Sequence, residues 1–156
     1  QYARDVKQLL VGKIPLNRTR LFFIYHRLVL ENILFTRIFN VKTSKIRLLD
    51  RNFHYDNFNS FFAIFTEIFI YNIYDFKTRN RKPLIVDAGA NIGIATMYFK
   101  YRNKHSKIIS YEPDPQTFKI LQKNVNDNNL KDVTLHNYAL GNKKKKVKFY
   151  TFSNFL

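Results

Sequence analysis

Leu84-Ile-Val-Asp87-Ala-Gly89-Ala-Asn91-Ile-Gly93 is the stretch that decides the fold, because it places two of the chain's four glycines in one short loop. An apolar strand that ends in a carboxylate and runs through a glycine-bearing loop into a helix is typical of a Rossmann-like sheet, which receives a nucleotide-like cofactor there. The dinucleotide pattern G-x-G-x-x-G is not met, since the third position from Gly89 is Asn91 and the sixth is Ile94. The stretch therefore predicts a nucleotide-type site for a different cofactor.

The carboxylate of Asp87 indicates which cofactor this loop favours. Loops that hold a pyrophosphate use backbone N–H groups and the positive end of a helix, so a negative side chain at the mouth would repel a dinucleotide. A cationic ligand suits Asp87 instead. S-adenosylmethionine carries an ammonium, a sulfonium and an adenosine but no phosphate, and we expect it to be the cofactor.

Strands and helices alternate after Pro83. The pattern predicts strands at 84–88, 107–111 and 133–137 and helices at 92–102 and 115–126, the second helix capped by Asp114 with Pro115 in its first turn. Such βαβ units form a parallel sheet, here with spatial strand order 3-2-1, a buried first strand and a further strand at 147–152. The predicted class is α/β with an incomplete Rossmann-like sheet behind an N-terminal helical extension.

Two segments precede this sheet. We predict a basic helical arm at 1–44, a lead-in at 45–82 and a cofactor-binding half-domain at 83–156. The lead-in contains a short strand at 46–49 and a helix at 58–71, for which Asp56 or Asn57 is the candidate cap. One face of this helix is phenylalanine-rich and is expected in the core, through Phe58, Phe61, Phe62, Phe65 and Phe69.

The most apolar segment of the chain runs from 21 to 39. It is interrupted by Arg27, Glu31 and Arg37, so we expect no membrane-spanning helix there. Its apolar residues cover most of the circumference of a helix, which indicates burial on several sides. Packing against a partner and peripheral contact with a membrane surface are the alternatives.

Composition narrows the class of site and of partner. There is no cysteine, and the four histidines show no ligand spacing, so no metal site is predicted. The absence of cysteine also fits a reducing compartment, and we expect a cytoplasmic location. A net charge of +16 would attract nucleic acid. Abundant Lys, Asn, Ile, Phe and Tyr also follow from an AT-rich coding sequence, and we rank this compositional origin ahead of a nucleic-acid partner.

A second acidic residue lies at the tip of the second predicted strand. Glu112 is 19 residues beyond Gly93, by the difference of their numbers, and Pro113 holds it out of the helical region. An acid about 20 residues past the glycine loop is where such a sheet binds the two ribose hydroxyls. Together with Asp87 and the glycine loop, Glu112 is predicted to bind the cofactor.

These motifs resemble the FkbM family of class I S-adenosylmethionine-dependent methyltransferases, through 85–93, Tyr-Glu112-Pro-Asp-Pro and Asn137-Tyr-Ala-Leu-Gly141-Asn, over roughly residues 45 to 150. The resemblance implies methyl transfer to a hydroxyl on a sugar or a secondary metabolite. It also implies the site residues: Asp87, Gly89, Asn91 and Gly93 at the methionine end, Glu112 at the ribose, and Pro113, Asp114 and Ala139 around the adenine. The lead-in adds Glu67 and Tyr74, for which simple packing is the alternative.

The family's fourth strand, with its Asp-x-x-Gly-x-Glu signature, has no counterpart after Ala139, so no catalytic residue is predicted and the oligomeric state stays open. The first strand would then have an unpaired edge that a longer chain, a partner or the amino-terminal arm should cover. Because the chain runs from Gln1 to Leu156 without these parts, we expect a piece of a longer product. The alternatives are an RNA methyltransferase and a non-catalytic cofactor-binding fragment, and a nicotinamide oxidoreductase ranks last.

Overall fold

A computed structural model of the protein describes residues 1–14, 16–34, 43–143 and 145. The chain divides into two compact units, Gln1–Lys77 and Thr78–Leu156. The predicted boundaries after residues 44 and 82 stay predictions. The strand expected at 147–152 lies outside the described residues.

The first unit consists of helices and one hairpin. Its elements are α1 (Tyr2–Val11), α2 (Arg18–Glu31), β1 (Lys45–Leu48), β2 (Arg51–His54), α3 (Phe58–Phe65) and a π-helical segment, Thr66–Ile70, that continues α3. Asparagines start two of the helices: the side chain of Asn17 accepts a hydrogen bond from the N–H of Arg20, and that of Asn57 accepts one from Ser60. The helix predicted at 58–71 is thus confirmed, with Asn57 as its cap and a π-helical end.

Strands β1 and β2 form an antiparallel hairpin, in register from Lys45 opposite His54 to Leu48 opposite Arg51. The two turn residues, Leu49 and Asp50, have φ values of 51° and 62°. Positive φ at both central residues is the geometry of a type I′ turn, which matches the twist of a hairpin. The sequence predicted the first strand but not its partner, because Leu-Asp lacks the Asn-Gly or Asp-Gly signature of that turn.

Phenylalanines form the core of the first unit. Phe61, Phe65 and Phe69 are buried along one helical face, as predicted, whereas Phe58 and Phe62 are only partly buried. Phe53 of β2 packs against the three buried rings with ring centroids 5.8 to 6.3 Å apart. Aromatic pairs at this separation contribute packing energy beyond the area they bury. The hairpin and the helix are therefore held together through aromatic contacts.

Helix α2 corrects one expectation. Leu21, Tyr25 and Leu28 are buried, whereas Phe23 is 67% and Leu30 is 55% exposed. The expectation of burial on several sides is therefore wrong for this helix, which buries a single stripe at spacings of four and three. In the part of the chain that the structure describes, no helix is long and apolar enough to cross a membrane.

The second unit is the predicted α/β fold. Three parallel strands, β3 (Leu84–Ala88), β4 (Lys107–Tyr111) and β5 (Val133–His136), lie side by side in that order, and α4 (Ile94–Arg102) and α5 (Pro115–Asp127) form the crossovers. Two strands match the prediction to the residue. The side chain of Asp114 caps α5, as expected, by accepting hydrogen bonds from the N–H groups of Gln116 and Thr117.

Both helices pack on one face of this sheet. Val133 and Leu135 of β5 pack against a buried cluster that includes Leu121 of α5, and Thr96 of α4 contacts Ser110 of β4 on the same side. On the other face Leu84 is 64% and Val86 is 56% exposed. The expectation of a buried first strand is therefore wrong. Two right-handed crossovers in the same direction cover only one face, and β3 is also an edge strand of the described sheet.

Candidate functional site

The site is built at the carboxyl edge of the parallel sheet, where the loops after β3 and β4 meet. The backbone N–H groups of Gly89 and Ala90 both donate to the carbonyl oxygen of Tyr111, at 2.9 and 2.8 Å. Parallel sheets present their ligand sites at this edge. The structure thus brings the glycine loop next to the segment that contains Glu112.

Asp87 is the penultimate residue of β3 and is partly buried. One carboxylate oxygen, Oδ2, accepts a hydrogen bond of 2.9 Å from the hydroxyl of Thr96. The other oxygen accepts no hydrogen bond from the described residues. Burial raises the pKa of Asp87, the hydrogen bond from Thr96 lowers it, and the nearby charge of Glu112 raises it further, with a net increase. This is a carboxylate with a free oxygen in an environment that favours a cationic partner.

The two glycines of the loop have different roles. Both have a φ of 89°, in the left-handed region that favours glycine. A Cβ on Gly93 would lie 2.6 Å from Cδ1 of Leu121, so this glycine lets α5 pack closely. A Cβ on Gly89 would meet no atom within 4 Å. There is therefore open space beside Gly89, two residues from Asp87, which a ligand can occupy.

Asn91 also has a left-handed backbone, with φ at 51°. Its side-chain oxygen accepts a hydrogen bond of 2.6 Å from the N–H of Ile92. Asparagine tolerates this conformation better than most residues. Because Asn91 and Gly93 both hold the loop out of the right-handed helical region, α4 begins at Ile94 rather than at the predicted 92.

Glu112 joins the two loops. It is buried, and its carboxylate oxygens accept hydrogen bonds of 2.8 Å from the N–H of Asn91 and 2.9 Å from the N–H of Asp114. An ionised carboxylate has about four acceptor positions, so two remain for hydroxyl groups of a ligand. Asp114, in contrast, uses its carboxylate to cap α5.

Four further polar residues support the site. Asn137 belongs to a motif named above, whereas Asn124, Thr96 and Ser110 were not recognised from the sequence. Asn137 donates from its amide to the carbonyl oxygens of Glu112 and Pro113, at 2.8 and 3.2 Å. The fully buried Asn124 of α5 donates to the carbonyl oxygen of Ile92 at 2.7 Å. The other two, Thr96 and Ser110, lie next to Asp87. The sequence signal that could have identified such residues is a single polar residue within an apolar helix or strand, as in Ile-Ile-Ser110-Tyr.

The remaining predicted site residues have exposed side chains. Ala139 follows β5 and is exposed. Glu67 lies in the π-helical segment of the first unit and Tyr74 follows it, both with exposed side chains. Their contribution to a cofactor site stays a prediction. Within the described ranges, no group of three His, Asp or Glu side chains is placed to hold a metal ion.

Comparison with known families identifies the segment that contains this site. Residues 87–156 match the family model described as the methyltransferase FkbM domain. The matched residues all lie in the second unit, and we refer to this segment, 87–156, as the FkbM domain because of that similarity. The match begins at Asp87 and includes the glycine loop, Glu112 and Asn137, so the FkbM domain contains most of the edge described above.

Curated relatives agree with this assignment. The chain is 41% identical over 78 residues to "Methyltransferase 1" of Beauveria bassiana and 40% identical over 62 residues to "Methyltransferase sdnD" of Sordaria araneosa. The aligned parts are 50% and 40% of this chain but 31% and 24% of those proteins. The chain thus spans less than a third of the length of the relatives it matches, and the similarity applies to the FkbM domain rather than to whole proteins.

Solved structures with partial similarity include a methyltransferase from Geobacter sulfurreducens, 27% identical, with a TM-score of 0.32 over 36% of this chain and 30% of that one. TYW2 of P. horikoshii, in complex with MeSAdo, is 18% identical, with a TM-score of 0.42 over 64% of this chain and 38% of that one. Both TM-scores lie below 0.5, so the assignment of the FkbM domain rests on the sequence matches.

Proposed function

We propose that the FkbM domain binds S-adenosylmethionine at the carboxyl edge of its sheet, and that the protein transfers the methyl group to a hydroxyl oxygen of a sugar or a secondary metabolite. The observation that carries the proposal is the free carboxylate oxygen of Asp87, two residues before the open space at Gly89. A partly buried carboxylate attracts a cation more strongly than an exposed one, because water screens it less. The ammonium group of the cofactor's methionine part is such a cation.

The other residues of the edge suit the rest of the cofactor. Glu112 retains two acceptor positions, enough for the two ribose hydroxyls. Pro113, Asp114 and Ala139 belong to the loops beside it and are assigned to the adenine surroundings, with Asn91 and Gly93 shaping the loop at the methionine end. The family resemblance assigns Glu67 and Tyr74 to the cofactor as well. These roles follow from the family resemblance, and for Glu112 the hydrogen bonds from Asn91 and Asp114 support the assignment.

S-adenosylmethionine supplies a methyl group already activated on a sulfonium, so the protein has to position reactants rather than generate a reactive group. In the proposed reaction the bound cofactor would supply this methyl group to the acceptor oxygen, and the acceptor would lose its hydroxyl proton. No described residue is assigned as the base. The proposed acceptor rests on the family resemblance.

Calorimetric titration of the 156-residue chain with S-adenosylmethionine tests the cofactor assignment. We expect Asp87→Asn to weaken binding by at least about tenfold, since a charge-assisted contact is worth roughly 1.5–3 kcal/mol. Gly89→Ala should also weaken binding, because the new Cβ would enter the open space. The matched control is Asp132→Asn, the same change in the exposed loop that precedes β5 at the opposite edge of the sheet.

Asp132→Asn should bind like the wild type. Equal affinities for Asp87→Asn and Asp132→Asn would contradict the role of Asp87. An absence of binding by a wild-type chain with the circular dichroism of an α/β fold would contradict the cofactor itself.

A further inference from the structure

Two buried hydroxyl groups lie next to the Asp87 carboxylate on the helix-covered face of the sheet. Thr96 of α4 and Ser110 of β4 have no exposed surface. Their hydroxyl oxygens are 2.9 Å apart, and that of Thr96 is also 2.9 Å from Oδ2 of Asp87. The three side chains come from three consecutive elements, and Asp87 and Ser110 are direct neighbours in the register of β3 and β4.

The direction of these hydrogen bonds follows from a count of donors. An ionised carboxylate only accepts, so Thr96 must give its single hydroxyl proton to Asp87. Its oxygen can then only accept from Ser110, which must be the donor of the second bond. The result is a directed chain from Ser110 through Thr96 to the carboxylate. Each donated proton strengthens the next bond because the hydroxyl dipoles align.

Packing alone does not account for these two hydroxyls. A valine at 96 and an alanine at 110 would fill nearly the same space without burying polar atoms, and buried hydroxyls cost stability unless they are hydrogen-bonded. Within the described residues, the side chains of Thr96 and Ser110 form hydrogen bonds only with each other and with Asp87. The pair is therefore specific to the carboxylate.

We propose that Thr96 and Ser110 are positioning residues, which hold the Asp87 carboxylate in one orientation and stabilise its negative charge so that its free oxygen can receive a cationic group. The proposal rests on the proposed function, in which that group is the ammonium of S-adenosylmethionine. Neither residue needs to touch the cofactor. The hydroxyl chain fixes one oxygen of Asp87 from the protein side and leaves the other for the ligand.

The electrostatics of Asp87 agree with this role. Burial and the charge of Glu112 raise the pKa of Asp87, and the hydrogen bond from Thr96 is the contact that lowers it. Removal of the Thr96 hydroxyl should therefore raise the pKa of Asp87 further. Protonation of Asp87 would then begin at higher pH, and affinity for a cation would be lost over the same range.

Thr96→Val removes the hydroxyl with almost no change in volume, and Thr96→Ser retains it as the matched control. Titration of the Asp87 carboxyl carbon by NMR in the ligand-free chain should show a higher midpoint for Thr96→Val and a wild-type midpoint for Thr96→Ser. Ser110→Ala should shift the midpoint in the same direction by less, and it provides a second test if Thr96→Val does not fold.

Affinity for S-adenosylmethionine is then measured against pH for the same chains. Thr96→Val should bind about tenfold more weakly near neutral pH, with the acidic loss of binding moved to higher pH, while Thr96→Ser binds like the wild type. Identical carboxyl titrations for wild type, Thr96→Val and Ser110→Ala would overturn the positioning role. A shifted titration in a chain that does not bind S-adenosylmethionine would instead overturn the cofactor assignment and leave the hydroxyl chain in place.

Discussion

Asp5 and Asp87 are aspartates withdrawn from solvent in two different units, and their hydrogen bonds differ. Asp5 of α1 has no exposed surface. Its Oδ1 accepts from the hydroxyl of Tyr71 at 2.6 Å and from the amide of Gln1 at 2.9 Å, and its Oδ2 accepts from the hydroxyl of Tyr25 at 2.8 Å. Asp87 accepts from Thr96 at one oxygen only.

Asp5 uses both carboxylate oxygens within the protein, whereas Asp87 keeps one oxygen available in the part of the chain that the structure describes, as the proposed cofactor site requires. At Asp5 every donor comes from the same unit, and both carboxylate oxygens accept hydrogen bonds. The carboxylate of Asp5 in α1 thus connects α1 to Tyr25 of α2 and to Tyr71, which follows the π-helical segment. At Asp87 one carboxylate oxygen has no donor within the described residues, and the partial burial of this side chain disfavours its charged form. Sites retained for a ligand commonly carry such a cost. The number of unused acceptor positions on a carboxylate is thus a better indicator of a ligand site here than burial alone.

The strongest test of this comparison is Asp5→Asn. Asparagine replaces one acceptor oxygen by a donor, which would face either a tyrosine hydroxyl or the amide of Gln1. We expect a loss of about 2–3 kcal/mol in the free energy of unfolding, the size typical of a buried hydrogen bond to a charged group. Urea denaturation measures it.

Asp50→Asn is the control for this variant. Asp50 is exposed and forms an ion pair of 2.6 Å with Arg20, also on the surface, and such pairs contribute little. Asparagine also keeps the positive φ of the turn. If Asp5→Asn were no more destabilising than Asp50→Asn, the structural interpretation of Asp5 would be wrong.

Removal of a single donor from Asp5 should have a smaller effect. Tyr25→Phe leaves Oδ2 with only the amide of Gln1, at 3.2 Å. Tyr71→Phe leaves Oδ1 with the same amide. We expect each variant to lose about 1–2 kcal/mol in the free energy of unfolding, and the double variant to lose less than their sum, because both act on one carboxylate. Additive losses would indicate that the two tyrosines do not share Asp5.

Asp87→Asn should have the opposite sign and increase stability. The pKa of Asp87 is raised in the folded state, so the ionised form is less favourable there than in the unfolded chain. Asparagine removes this cost and can still accept from Thr96. We expect a higher free energy of unfolding near neutral pH, seen as a higher melting midpoint.

The same linkage gives this gain a pH dependence. It should disappear in acid, as the pH falls below the ordinary aspartate pKa of 3.8, because Asp87 is then protonated in both states. Melting curves of wild type and Asp87→Asn across this range measure the effect. A stabilisation that persists unchanged in acid would exclude desolvation of Asp87 as its origin.

The sequence predicted the features that depend on a few neighbouring residues and missed those that depend on tertiary packing. Strands 84–88 and 107–111 and the caps Asn57 and Asp114 follow from runs of a few residues. The partner strand β2 was missed because its turn lacks the usual glycine. The exposure of β3 was missed because an apolar run does not show how many faces of a sheet are covered.

The candidate site residues also divide into those that have a local sequence signal and those that do not. Asp87 and Glu112 are recognisable because their spacing from the glycines is fixed along the chain. Thr96, Ser110 and Asn124 are not, since their roles depend on which element packs above which strand. The pairing of Asp5 with Tyr71, 66 residues away, has no local signal at all.

The last prediction concerns stability at alkaline pH. The pKa of Tyr25 is raised above its ordinary value of 10.0, first by burial and then by its hydrogen bond to Asp5. A group with a raised pKa in the folded state stabilises the fold fully below the unfolded pKa and progressively less as the pH rises towards the folded one. The free energy of unfolding should therefore decline above about pH 10, by at most about 1.4 kcal/mol per pH unit for one such group.

Tyr25→Phe cannot ionise at this position, so its free energy of unfolding should decline less steeply over the same range. Tyr71 also has a pKa raised by burial and by Asp5, so part of the decline should persist in the variant. Urea denaturation in steps from neutral to alkaline pH measures both slopes. Parallel declines for wild type and Tyr25→Phe would show that Tyr25 does not titrate with unfolding. Its burial and its hydrogen bond to Asp5 would then give this tyrosine no added protection against ionisation.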